Sequence, residues 1–181
     1  GKFVLTSQIY HTLLPQEINV ADLDGDGIDE LLVVRVGKVE KTYLKKVVEV
    51  YKLEGDNLVK VETGPLMGNI RALTGWDPEG DGQEEILVET GLGTKPGMFS
   101  LLRWTKEESV DLGLSLVEDS SVPSPLQTVP YGLSAGSLYR RERPTGDFLA
   151  TADSWGNVNI FAYDDGRFIP EVKGMNLKSA L

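Results

Sequence analysis

The sequence predicts an all-β protein, and three observations predict it. Apolar or alternating runs of 4 to 8 residues, rich in Val, Leu, Tyr and Thr, recur between turns of Gly, Asp, Asn and Pro. No apolar stripe of helical period extends over roughly 11 residues or more. A nine-residue acidic pattern appears twice at an offset of 55, each time directly ahead of an apolar run. Repetition at a fixed period marks stacked supersecondary units, each needing its neighbours to bury its faces.

Taken in order, the first copy opens on a short strand at 18–21, which leads into Asp22-Leu23-Asp24-Gly25-Asp26-Gly27-Ile28-Asp29-Glu30. A strand at 30–36 leaves that loop, residues 37–42 read as a hairpin loop, and a third strand runs over 45–53. The polar turn Glu54-Gly55-Asp56-Asn57 then returns the chain into a fourth strand at 58–63. The second copy carries Asp77-Pro78-Glu79-Gly80-Asp81-Gly82-Gln83-Glu84-Glu85 ahead of Ile86-Leu87-Val88, then strands at 99–104 and 112–117. A third copy keeps the strands and has lost the acids: 146–150 matches the start of the strand after the loop, 158–163 the next strand, and 168–172 the last. With Asp147 counted against Glu30, Tyr139, Arg141 and Arg143 stand at the acidic positions.

Four strands per copy is the anatomy of a β-propeller blade, giving three blades at about 18–64, 69–118 and 132–173 in one domain. The Ser/Pro-rich stretch 120–130 reads as a long connection between blades. Residues 3–7, within a segment 1–10, resemble a stray fourth strand that pairs with a blade edge. Three blades are fewer than the four or more of a closed ring, so the expectation is a partial propeller, one completed by oligomerisation, or part of a longer array.

The acidic loops carry the chemistry. Carboxylates at positions 1, 3 and 5 of a glycine-containing loop converge on one centre, and a set of hard oxygen donors at flexible distances suits Ca²⁺. Loop one offers Asp22, Asp24, Asp26, the carbonyl of Ile28, and Glu30; loop two offers Asp77, Glu79, Asp81, the carbonyl of Gln83, and Glu85. An EF-hand needs a glutamate at position 12 followed by a helix. Val33 and Val88 stand there instead, each inside a strand-like run. The motif Asp-x-Asp-Gly-Asp-Gly-x-x-Glu followed by Leu31-Leu32-Val33-Val34 resembles the FG-GAP/VCBS-type repeat, the calcium-loop blade of integrin-α-like propellers and many bacterial surface proteins. The resemblance covers most of residues 18–173 and implies two structural Ca²⁺ sites built from those ten residues. The Phe-Gly and Gly-Ala-Pro tags that name the family are absent.

Composition narrows the function. The chain has 181 residues and 28 Asp+Glu against 18 Lys+Arg, a formal charge of -10, which opposes binding to nucleic acid or an anionic membrane. Lys45-Lys46 and Arg140-Arg141 read as solvated loop pairs. No apolar stretch approaches the ~18 residues of a membrane span. No basic N-terminus backed by an apolar core appears, as in a mature secreted chain. The absence of cysteine removes thiolate catalysis and disulfides, and a lone histidine, His11, reads as a surface residue.

Gly132-Leu133-Ser134-Ala135-Gly136 matches a nucleophile elbow but lacks a downstream histidine and a strand-turn-helix setting, so it reads as a tightly packed strand. Gly91-Leu92-Gly93-Thr94-Lys95 lacks phosphate-loop spacing and reads as a hairpin. Tyr51, Trp104 and Tyr163 read as aromatics packed between blades. Trp155, at a hairpin tip beside Asp153 and Asn157, suits either turn packing or contact with a carbohydrate or protein ligand. The functional expectation is a non-catalytic calcium-binding module at the cell surface or in the periplasm, with a protein or glycan partner and the capacity for self-association. The alternative is a fragment of a carbohydrate-active enzyme with a calcium-stabilised propeller.

Overall fold

A computed structural model describes residues 16–40, 43–91, 97–106, 114–123, 130–136, 148–153, 157–164 and 167–176. Twelve strands and no helix make up the described residues. The first sheet contains β1 (Glu17–Ala21), β2 (Glu30–Glu40), β3 (Tyr43–Glu54) and β4 (Asn57–Thr63). The second contains β5 (Ile70–Trp76), β6 (Glu85–Thr90), β7 (Met98–Lys106) and β8 (Leu114–Pro123). The third contains β9 (Pro130–Gly136), β10 (Phe148–Asp153), β11 (Asn157–Asp164) and β12 (Arg167–Asn176). Each is a four-stranded antiparallel meander in chain order, and none closes on itself among the described residues.

Alternation within the strands explains why the sheets stack. On β6, Ile86 and Val88 face the first sheet, in a buried cluster with Leu32, Val34, Val48, Val50 and Leu73. Leu87, between them, faces the other way and joins Trp76, Phe99, Leu101, Leu149 and Phe161, the last two from the third sheet. The middle sheet is thus apolar on both faces, which is why β6 reads as a continuous apolar run. Trp76 anchors the second seam: its ring stacks on Phe168 at 5.6 Å and meets Tyr163 edge-on at 5.1 Å.

The first strands of successive sheets lie side by side, β1 against β5 and β5 against β9. Side chains replace ladder pairing between β1 and β5: Asn19 Nδ2 donates to the Leu73 carbonyl at 2.9 Å, and the Leu73 N–H donates to Glu17 Oε1 at 3.3 Å. Gly75 permits this approach. A Cβ there would fall 2.6 Å from the Ala21 Cβ and 3.1 Å from the Val20 carbonyl oxygen, so β1 would have to move. Gly75→Ala should therefore cost about 1–3 kcal/mol of stability in urea unfolding. A cost near zero would mean that the β1–β5 contact is loose.

Sequence expectation and structure differ at five places. Residues 37–40 belong to β2, with a register shift between Val36 and Lys38, rather than to the hairpin loop. Residues 120–123 extend β8 and Pro130 begins β9, so the expected connection shrinks to 124–129. Lys46 is not a solvated loop residue: it lies in β3, 7 % exposed, and its Nζ donates to the Ile70 carbonyl at 2.6 Å.

The fourth difference is the register of the third repeat. The ladders between first and second strands end on Ala21 with Glu30, on Trp76 with Glu85, and on Gly136 with Phe148. Phe148, not Asp147, therefore stands where Glu30 and Glu85 stand. Trp104 and Tyr163 sit at their seams as expected, whereas Tyr51 occupies the position of Leu102 and Phe161 and donates its hydroxyl to Glu49 at 3.0 Å. The stray strand at 3–7, His11, Arg140-Arg141 and Trp155 lie outside the described residues.

Candidate metal loops

The two acidic loops adopt the same backbone conformation. Gly25 and Gly80 both have φ +72°, and Gly27 and Gly82 have +83° and +89°, angles that a side chain rarely tolerates. The hydrogen bonds repeat as well. Asp22 accepts from the N–H groups of Asp26 at 3.1 Å and Gly27 at 2.8 Å; Asp77 accepts from Asp81 at 3.2 Å and Gly82 at 2.9 Å. Asp26 Oδ1 takes the Ile28 N–H and Asp81 Oδ1 the Gln83 N–H. Each loop folds around its first aspartate, as an Asx-type turn does.

Loop one brings three expected ligands together. Carboxylate oxygens of Asp22, Asp24 and Glu30 lie within 4.8 Å of one another, with Glu30 buried at 2 % exposure. Burial raises the Glu30 carboxyl above its ordinary range, against the pull of the Leu23 N–H (2.9 Å) and of Lys52. The carboxylate of Asp26 stays outside the trio, and the Ile28 side chain is exposed.

Loop two is arranged differently. Arg103 Nη2 reaches both oxygens of Glu79, at 2.9 and 3.0 Å, and Glu85 Oε1 at 2.7 Å. Glu85 Oε2 is buried and accepts no hydrogen bond. Burial first, then the negative charges of Glu79 and Asp81, push the Glu85 carboxyl up to about 8, partly offset by Arg103. No trio like that of loop one forms there among the described residues.

Two residues that sequence reasoning missed complete the picture. Lys52 Nζ contacts Asp24 Oδ2 and lies 3.2 Å from Glu30 Oε1. The ladders place Leu31 opposite Tyr51 and Ile86 opposite Leu102, so Lys52 and Arg103 are the same position in two sheets, each beside its closing glutamate. Spacing along the chain hides this, because the hairpins before them differ in length.

The loops also touch. The Glu84 N–H donates to the Asp22 carbonyl at 2.8 Å, the Asp22 N–H donates to Glu84 Oε2 at 3.0 Å, and Gln83 Nε2 donates to the Leu23 carbonyl at 2.6 Å. Loop one is thereby pinned to loop two across the seam between the first two sheets. In comparisons with known proteins, no family model and no curated relative matches this chain.

Proposed function

We propose that this chain is a non-catalytic, calcium-stabilised module of β-propeller type, which binds a protein or glycan partner outside the cytoplasm. The observation that carries the reading is the convergence of Asp22, Asp24 and Glu30 at the mouth of an open four-stranded sheet. Hard carboxylate oxygens on a flexible, glycine-hinged loop suit Ca²⁺ better than the smaller Mg²⁺, which demands near-ideal octahedral geometry and gives up its waters reluctantly. Asp26 and the Ile28 carbonyl are near enough in sequence to complete the shell, and loop two supplies Asp77, Glu79, Asp81, the Gln83 carbonyl and Glu85 as the second, weaker site. Bound calcium would neutralise the clustered acids and hold the strand order at the seam where the loops meet. Extracellular modules of this kind use weak sites that millimolar calcium keeps filled, which favours an extracytoplasmic setting.

Thermal unfolding of chelator-stripped protein tests the reading. Calcium at about 100 times its Kd adds about 2.7 kcal/mol per site, a rise in Tm of roughly 5 to 10 °C for a chain of this size. Magnesium should do much less. An unchanged Tm in metal-free protein given millimolar calcium would reduce the loops to acidic turns.

A further inference from the structure

We propose that each acidic loop carries its own exchangeable cation, Lys52 in loop one and Arg103 in loop two, and that calcium enters by displacing it. The proposal rests on the calcium reading above and adds what governs occupancy. Three observations carry it. First, both cations come from the same position of the third strand and meet the same closing glutamate in their sheets. Second, where the third sheet lacks that glutamate, with Phe148 in its place, the register puts Ala162 at the cation position. Acid and cation are present together and absent together. Third, the acids are deeply buried, Glu30 at 2 % and Glu85 at 3 %, and a buried carboxylate without a counter-charge is costly.

The two cations are held unequally. Lys52 is a point charge on a flexible stem, and its Nζ already lies 5.4 Å from the centroid of the Trp104 ring in the next sheet. That aromatic face offers a second resting place when the ammonium leaves the carboxylates. Arg103 Nη2 meets both oxygens of Glu79 and Glu85 Oε1, three contacts against the two that Lys52 makes to Asp24 and Glu30. A rigid, weakly hydrated guanidinium gives up such contacts less readily than a flexible ammonium. Loop one therefore fills first. Loop two stays closed by its own arginine until calcium is far more concentrated.

Calorimetric titration of chelator-stripped full chain with calcium chloride, using wild type, Lys52→Met and Arg103→Met, tests this directly. Removing the competing charge should tighten the first site about tenfold in Lys52→Met. Arg103→Met should raise the stoichiometry from one calcium to two in the same concentration range. Both variants should melt lower than wild type in chelator, since each leaves buried carboxylates without a counter-ion.

In wild type, the Lys52 amine should become more reactive toward an acetylating reagent when calcium is added, read by mass spectrometry; this arm stands even if a variant folds poorly. Calcium bound by wild type with unchanged affinity in both variants, or Lys52 reactivity indifferent to calcium, overturns the exchange and leaves the calcium reading intact. Calcium bound by none of the three proteins removes both.

Discussion

Replacing Trp76 with alanine lowers the free energy of unfolding by about 3–5 kcal/mol, the range for deleting a buried aromatic from a packed core. Trp76 is fully buried, and its partners come from two sheets: Leu87, Phe99 and Leu101 from its own, and Leu149, Phe161, Tyr163 and Phe168 from the third. Phe168 meets it nearly parallel, at 13° between planes, and also contacts Phe99, Phe161 and Tyr163 edge-on. A cavity here cannot collapse by a small shift of one side chain, because the rings are held by strands of separate meanders. The loss should appear as a lower urea midpoint. It should also appear as earlier proteolysis within the third sheet, whose described apolar contacts converge on this cluster. Trp76→Phe, which keeps an aromatic body, should recover a large part of the loss. A deficit below about 1 kcal/mol would mean that the second and third sheets are not held together at Trp76.

The acidic repeat made most of this fold legible. Because Asp22 maps onto Asp77 and Glu30 onto Glu85, the strands after each loop could be assigned from the apolar runs. The bounds of β3, β4, β6 and β7 lie close to expectation, whereas β2 and β8 run on beyond theirs. The loop glycines were legible for the same reason: Gly25, Gly27, Gly80 and Gly82 sit where the chain must take positive φ. The third repeat slipped by one residue because it has no acidic landmark; only the ladder from Gly136 to Phe148 fixes it. Lys46 was misread since a Lys-Lys pair looks solvated, yet in a strand the two side chains point to opposite faces, and one of them enters the seam to reach the Ile70 carbonyl.

Lys52 and Arg103 were hidden for a related reason. Their meaning lies in cross-strand register, which depends on hairpin length and bulges rather than on distance along the chain. The link from Gln83 and Glu84 to loop one was equally invisible, as it crosses from one sheet to the next.

Stability should also fall as pH rises from about 4.5 to about 7, through Glu89. This carboxylate is fully buried on β6, and its charged partner is Arg71, at 3.6 Å. Burial outweighs the attraction of Arg71 and raises the Glu89 carboxyl to about 7 from the ordinary 4.5. The folded state therefore holds the proton more tightly than the unfolded chain. Below pH 4.5 both states are protonated and the group adds no pH-dependent cost. Between the two values the unfolded chain ionises while the folded one does not, so stability declines; above about pH 7 both are ionised and the decline stops. A displacement of that size corresponds to about 3 kcal/mol across the window.

Glu89→Gln keeps the volume and removes the titration, so it isolates this group from the other carboxylates. In metal-free protein the variant and wild type should have similar stability at pH 4.5. By pH 8 the variant should be the more stable by up to about 3 kcal/mol in urea unfolding. A variant that is instead less stable at pH 8 would show that the Arg71–Glu89 pair gains more from its attraction than burial takes away.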